Sequence, residues 1–258
     1  MKNIILLILG ILVPFVSAIG QNESSQTLIN AEKNGWEYEM KFGINIGGAS
    51  PIPLPESIRS IESYNPKFNG MIEGNATRWI GDSKKWGISA GIRIESKGMH
   101  AGATVKSYST EVVDDGSKVS GYWTGYVNTK YNSILMTVPI MANYKLNDRW
   151  NLRAGIYMSY MLDGDFSGYV SDGYLRQGTP TGQKILFTNG KQGTYNFSDD
   201  LRHIQTGIQI GASWLAYKHF RLNGDLEWGL NDIFEKNFKT VSFNMYPIYL
   251  NIGFGYKF

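Results

Sequence analysis

From Glu37 to Phe258, apolar residues return at every second position in run after run of about ten residues, the period of a strand whose two faces meet different surroundings. In 37–48, Tyr38, Met40, Phe42, Ile44 and Ile46 oppose Glu37, Glu39, Lys41, Gly43 and Asn45. In 86–97, Trp86, Ile88, Ala90, Ile92 and Ile94 oppose Gly87, Ser89, Gly91, Arg93, Glu95 and Lys97. The same pattern marks 130–146, 150–162, 203–217, 220–231 and 242–258. The stretch 67–80 is the weakest, because Arg78 falls on the face of Phe68, Ile72, Ala76 and Ile80 while Met71 and Trp79 fall on the other. It is still read as a strand, since Gly81-Asp82-Ser83-Lys84-Lys85 is a good turn into the next one. Helical spacing is sustained nowhere. Pro139 and Pro247 lie inside expected strands, where each removes a ladder hydrogen bond, so bulges are expected there.

Composition excludes several alternatives. With 42% hydrophobic, 14% aromatic and 18% charged residues, the chain is neither disordered nor a coiled coil. The absence of cysteine removes disulfides, thiolate zinc sites and thiol catalysis, and a formal charge of +3 gives no reason to expect nucleic acid. At the N-terminus, Met1-Lys2, the apolar run 4–16 and Val16-Ser17-Ala18 form a secretory leader, expected to be cut after Ala18 with Gly20 as a second possibility. The apolar run is shorter than the ~20 residues a membrane-spanning helix needs. The expected organisation is a leader over 1–18, a periplasmic segment over 19–36 and a barrel over 37–258.

A soluble barrel also alternates, so period alone cannot decide which face looks outward. Three features favour an apolar exterior. The polar face carries charges of both signs near mid-strand: Glu73, Arg93, Glu95, Arg153, Asp225 and Glu227. Aromatics gather at strand ends, with Trp86, Tyr144, Trp150, Tyr217, Phe220 and Tyr256 near the short turns and Tyr160 and Trp228 toward the other rim, as in interfacial girdles. Connections alternate between short (81–85, 147–149, 218–219) and long (49–66, 99–129, 163–202, 232–241). The expected fold is all-β, an eight-stranded antiparallel up-and-down transmembrane barrel, closed because hydrocarbon tolerates no unpaired edge.

The order of segments resembles the PorT-like outer-membrane β-barrel family of Gram-negative bacteria. The matching residues are KFGINIGG at 41–48, WGISAGIRIESKG at 86–98, ILMTVPIMANYKL at 134–146, WNLRAGIYMSYML at 150–162 and the closing NIGFGYKF, the third being the most specific. The resemblance implies an outer-membrane location and a barrel for which most members have no established activity. The ending with Tyr256 and Phe258 resembles the C-terminal signal read by the barrel-assembly machinery. The loops 99–129 and 163–202 look long for the family, so no loop-borne role of a relative transfers.

Three kinds of chemistry are conceivable. The interior charges Glu73, Arg93, Glu95, Arg153, Asp225 and Glu227 form either a conduction path or a salt-bridged plug. The plug is expected, because an eight-stranded interior is barely wide enough for side chains and mixed signs neutralise one another. The alternative of an outer-leaflet lipid-modifying enzyme would need His100 or His203 at the outer rim, the latter near Ser198, Asp199 and Asp200 in sequence. Chance proximity explains that grouping as well, and no enzyme, metal site or cofactor is expected. Tyr122, Trp123, Tyr126, Tyr169, Tyr174 and Tyr195 are expected to be exposed on two hairpins turning at 114–116 and 189–190, where they could bind an extracellular protein or glycan. Glycines of the wall, such as Gly43, Gly47 and Gly48, are expected to make room for large interior side chains or to relieve curvature. The other expected partners are outer-membrane lipids, and the chain is expected to be a monomer.

Overall fold

A computed structural model describes residues 34–114 and 116–258. The expected leader, its cut sites and the stretch 19–33 lie outside the described residues. Among the described residues eleven strands form one sheet: β1 (Trp36–Pro51), β2 (Ile58–Asn65), β3 (Asn69–Ile80), β4 (Trp86–Asp114), β5 (Ser117–Lys145), β6 (Trp150–Gln177), β7 (Lys184–Phe187), β8 (Gly193–Asn196), β9 (Ile204–Tyr217), β10 (Phe220–Gly229) and β11 (Met245–Lys257).

Eight of them close a ring in the order β1, β3, β4, β5, β6, β9, β10, β11, with β11 returning to β1. Every pairing is antiparallel, and the closing one runs from Glu39↔Lys257 to Pro51↔Met245. The architecture is the expected up-and-down barrel. Its wall is inverted relative to a water-soluble protein: Ile92 and Ile156 are 62% and 60% exposed, whereas Arg93, Thr137 and Asn251 are fully buried. A wall of this polarity suits hydrocarbon outside and an ionic interior. Rings cluster at the short-turn rim, where Trp86 meets Tyr144 (4.6 Å), Trp150 meets Trp214 (6.3 Å) and His219 stacks on Tyr256 (5.5 Å).

At the long-connection end, β4, β5 and β6 do not stop where the ring does. At 29, 29 and 28 residues they continue into a tower. The stretches 99–129 and 163–177, expected as loops, are therefore mostly strand. The turn between Asp114 and Ser117 forms as expected, with Gly116 at φ +81°. The expected hairpin at Asn189-Gly190 does not form: β7 and β8 both pair with β6 and not with each other. Asn189 and Gly190, with φ of +57° and +83°, instead carry a short excursion between two segments laid along one strand. β8 also touches β4 at Val113↔Thr194, so it closes the tower on the side away from β5.

Neither proline sits in a bulge. Pro139 pairs with Tyr157 of β6 without a shift, and on the β4 side the pairing passes from Ala90↔Ile140 to Arg93↔Thr137 with the register kept. Its missing N–H therefore costs a gap in the ladder and no slip. Pro247 pairs with Ala49 and lies one residue beyond the last β10 partner of β11, at Ile248, where no donor is needed. In β3, the breach of alternation is also real. Arg78 points outward over the Trp36 ring (5.5 Å), and Trp79 points inward, 6% exposed, donating Nε1–H to Glu37 at 3.3 Å beneath the Lys145 ammonium.

Candidate functional site

Inside the ring, alternation delivers one charged or amide group from nearly every strand to a common space. Arg93 of β4 is its centre. Its Nε donates to Glu73 of β3 at 2.7 Å, Nη1 donates to Glu227 of β10 and Nη2 donates to Gln209 of β9 at 3.2 Å. Lys97 donates to the second oxygen of Glu227 at 2.6 Å, lies 3.1 Å from Glu95 and sits between the faces of Tyr157 and Tyr249. Lys41 donates to Glu73 at 2.8 Å. Glu95 also accepts from Asn45 (3.0 Å) and Thr137 (2.7 Å). Glu73, Arg93, Glu95 and Glu227 thus belong to one network, which Lys41, Lys97 and Gln209 complete.

Arg153 and Asp225 form a separate pair closer to the short-turn end, joined side-on through Nε (2.7 Å) and Nη2 (2.8 Å), with Nη2 also donating to Asn223 at 3.0 Å. They sit on β6 and β10, with β9 between them, and both register against Gly211. A Cβ at Gly211 would overlap the Asp225 carboxylate, so the glycine is what lets the two side chains meet across the intervening strand. Gly255 does the same on β11, where Arg221 and Asn223 of β10 reach over it to Glu39 of β1 at 3.2 and 3.0 Å. Arg221 also holds Glu37. These residues lie on the polar face of the alternation; only the three-dimensional stagger of the strands shows which cation meets which carboxylate.

The space left over is small. A cavity between Lys41, Glu73, Arg153 and Arg221 measures about 10 Å³, room for about one water. Above the ionic layer, at the long-connection end, Phe166, Leu201, Ile233 and Phe234 are buried to 4% exposure or less, and Phe234 packs on Phe166 (4.8 Å) and Phe238 (4.5 Å). Backbone bonds pin this lid: Arg202 donates Nε and Nη2 to the Phe234 carbonyl, and Ile233 N–H donates to Met245 O at 3.0 Å.

The tower has its own interior, and two of the aromatic residues expected on its surface are inside it. Trp123 is fully buried, edge-on to Phe187 at 5.3 Å, and packs with Val112, Val170 and Leu175. Tyr195 is 6% exposed; its hydroxyl donates to the Asn128 carbonyl (2.8 Å) and touches Thr129 (2.7 Å), which ties β8 across to β5. Burial holds the Tyr195 phenol above its ordinary pKa. Neither can contact a partner. The other four are half-buried, and register places them together on the outer face of β5 and β6: Thr124↔Tyr174, Tyr126↔Ser171, Asn128↔Tyr169 and Tyr122↔Arg176. Tyr126 and Tyr169 lie 6.4 Å apart, and the Lys184 ammonium lies 3.9 Å from the Tyr174 ring. The Thr124 hydrogen bond, followed by Lys184 and Arg176, lowers the Tyr174 phenol.

Of the two rim histidines, His203 stands apart from its sequence neighbours. The His203 ring lies beside Tyr160 at 6.2 Å, with no hydrogen bond to Ser198, Asp199 or Asp200. Ser198 Oγ accepts from Phe166 N–H (3.0 Å) and lies 3.4 Å from Asp165, while Asp199 and Asp200 stand in the one-turn 3-10 helix Ser198–Asp200. Among the described residues no three His, Asp or Glu side chains are placed to hold a metal ion. At the C-terminus, Tyr256 lies on the outer wall with the Phe258 ring against it at 5.1 Å, and Phe258 N–H donates to Tyr38 O at 3.0 Å.

The family comparison agrees with this architecture. Residues 20–235 match the family model described as outer membrane protein beta-barrel domain. No curated protein matches the sequence. Solved structures similar to this chain include Ail of Yersinia pestis in complex with the heparin analogue sucrose octasulfate (8% identity, 86% of this chain and 97% of that chain, TM-score 0.38). Neisserial surface protein A is similar at 12% identity over 87% of this chain and 97% of that chain (TM-score 0.37). The outer membrane protein OprG of Pseudomonas aeruginosa is similar at 10% identity over 87% and 97% (TM-score 0.32).

Proposed function

This chain belongs to the outer membrane protein beta-barrel domain family, and we propose that it is a non-catalytic surface-interaction protein of the PorT-like kind, exported with loss of its leader after Ala18 and presenting its tower outside the cell. The observation that carries this reading is the tower itself. Three strands of 28 residues or more, held by a buried apolar core, form a rigid pedestal far larger than closure of a barrel requires. On its outer face stand Tyr122, Tyr126, Tyr169 and Tyr174 with Arg176 and Lys184, and tyrosine and arginine are the types that supply much of the binding energy at protein contacts. The lumen supports a closed barrel: its central charges are paired, the cavity beside Lys41 and Arg153 holds about one water, and an apolar lid lies above.

Two measurements test the reading. Replacing residues 106–124 by a two-residue turn and deleting 178–192, in cells that still display a heat-modifiable barrel, is expected to abolish adhesion to host protein or glycan surfaces. Undiminished adhesion would remove the surface role. Full-length protein in planar bilayers is expected to give no stable open state, and reproducible large conductance steps would restore the channel reading.

A further inference from the structure

The ring wall is complete only up to a certain height. β1 pairs with β3 from Trp36 to Asn45 and no further, although its other edge stays paired with β11 as far as Pro51. β2, which takes up the neighbouring position above β3, pairs only with β4. Between the end of β1 and β2 the sheet therefore has a seam with no backbone pairing across it. Behind the seam lies a cavity of about 400 Å³, within the ~300–1,000 Å³ of small-molecule pockets.

The lining of this cavity has two origins. Ile248 belongs to the outward stripe of β11 that continues through Leu250, Ile252 and Phe254 on the hydrocarbon face. Met99, Val105 and Phe166 belong to the apolar interior shared by the tower and the lid. The cavity thus joins the lipid-facing wall to the inside of the molecule, and the seam is where they meet. Its rim is apolar as well: Leu54, Ile61 and Tyr64 are each more than half exposed. The lining is mostly apolar, with Ser50, Tyr64, Tyr108 and Thr129 as its polar side chains; of these Tyr108 makes no hydrogen bond among the described residues, and its ring packs on Phe243 at 5.7 Å. An open apolar cavity at the edge of a bilayer does not hold water favourably; it fills with what its mouth faces.

We propose that this cavity is a binding site for a single hydrocarbon chain of an amphiphile, admitted sideways through the β1–β2 seam, with the Tyr108 hydroxyl as its hydrogen-bonding handle. The site is independent of the tower's outer face and of any adhesive role. Either a free fatty acid or an acyl chain of a membrane lipid has this chemistry.

The test uses full-length protein folded in amphipol, free of detergent, titrated with cis-parinaric acid, which fluoresces when its chain leaves water. Saturable binding at one site per barrel is expected. Ala103→Trp, which fills the cavity, is expected to weaken it by about tenfold or more, the equivalent of about two buried methylenes. Ile156→Trp, on the lipid face of β6, is expected to leave it unchanged. Displacement by palmitate but not by dipalmitoyl phosphatidylethanolamine would identify a free fatty acid, and displacement by both a lipid chain. If Ala103→Trp does not fold, Ile61→Asp at the exposed rim gives the same reading, again with a loss of about tenfold. Non-saturable uptake by the wild type, or a folded variant of either kind that binds with wild-type affinity, overturns the proposal.

Discussion

The same three strands, β4, β5 and β6, line two interiors of opposite character. Within the ring their inward residues are Arg93, Glu95 and Lys97, then Ser133 and Thr137, then Arg153 and Ser159. Within the tower they are Met99, Val105 and Val112, then Tyr131, Val127 and Trp123, then Phe166, Val170 and Leu175. The outward face reverses at the same height, from Ile92, Ile140 and Ile156 to Lys106, Tyr122 and Arg176. What changes along each strand is the solvent outside. Where hydrocarbon surrounds the wall, polar groups can be satisfied only inside; where water surrounds it, an apolar core again becomes the driving force.

The comparison can be broken from either side. Arg93→Met leaves Glu73 and Glu227 each short of a partner in a space that admits almost no water, and about 3–5 kcal/mol of barrel stability is expected to be lost, read as a lower midpoint in urea unfolding from lipid vesicles. Trp123→Ala is expected to cost a similar ~3–5 kcal/mol through the void it leaves, but in the tower only. Limited proteolysis should then cut within 177–192 while the ring keeps its heat-modifiable migration; concerted loss of both would show that the two interiors are one cooperative unit. The outward face sharpens the contrast. Ile140→Lys and Tyr122→Lys change the same face of β5 at two heights, and the first is expected to cost ~2–4 kcal/mol in insertion while the second stays within about 0.5 kcal/mol. Equal costs would place the membrane boundary elsewhere. A loss smaller than that of Arg93→Met is expected from Gly211→Val, about 1–3 kcal/mol, because overpacking there separates Arg153 from Asp225 without removing either charge. Unchanged unfolding would mean that the pair does not depend on that gap.

The ring was legible because lipid on one side and ions on the other impose a strict period on each strand; β3 keeps the geometric period, with Arg78 outward and Trp79 inward on the faces their spacing predicts, although their polarity runs against it. The tower was not, for two physical reasons. Irregularities between Val105 and Tyr108 and between Thr124 and Tyr126 shift the phase of the alternation, and its polarity inverts where the strands leave the ring. Aromatic residues beyond that height then read as contact surface, which is how Trp123 and Tyr195 were placed outside when they are packed inside. The interior charges could be assigned to a face but not to partners: Arg93 and Glu227 stand 134 residues apart and meet only because the barrel's stagger brings their strands level across the lumen. The seam beside β1 left no trace in the sequence, since it is an absence of pairing and carries no residue pattern of its own.

Joining first and last strands has a consequence for how the molecule comes into being. Until Met245–Lys257 exists, the flank of β1 that it covers has nothing to bind, and a chain lacking it would carry two raw margins into oil. The last strand is therefore the only cover for that flank of the first among the described residues, and damage to the final dozen or so residues would spoil the first strand as surely as the last.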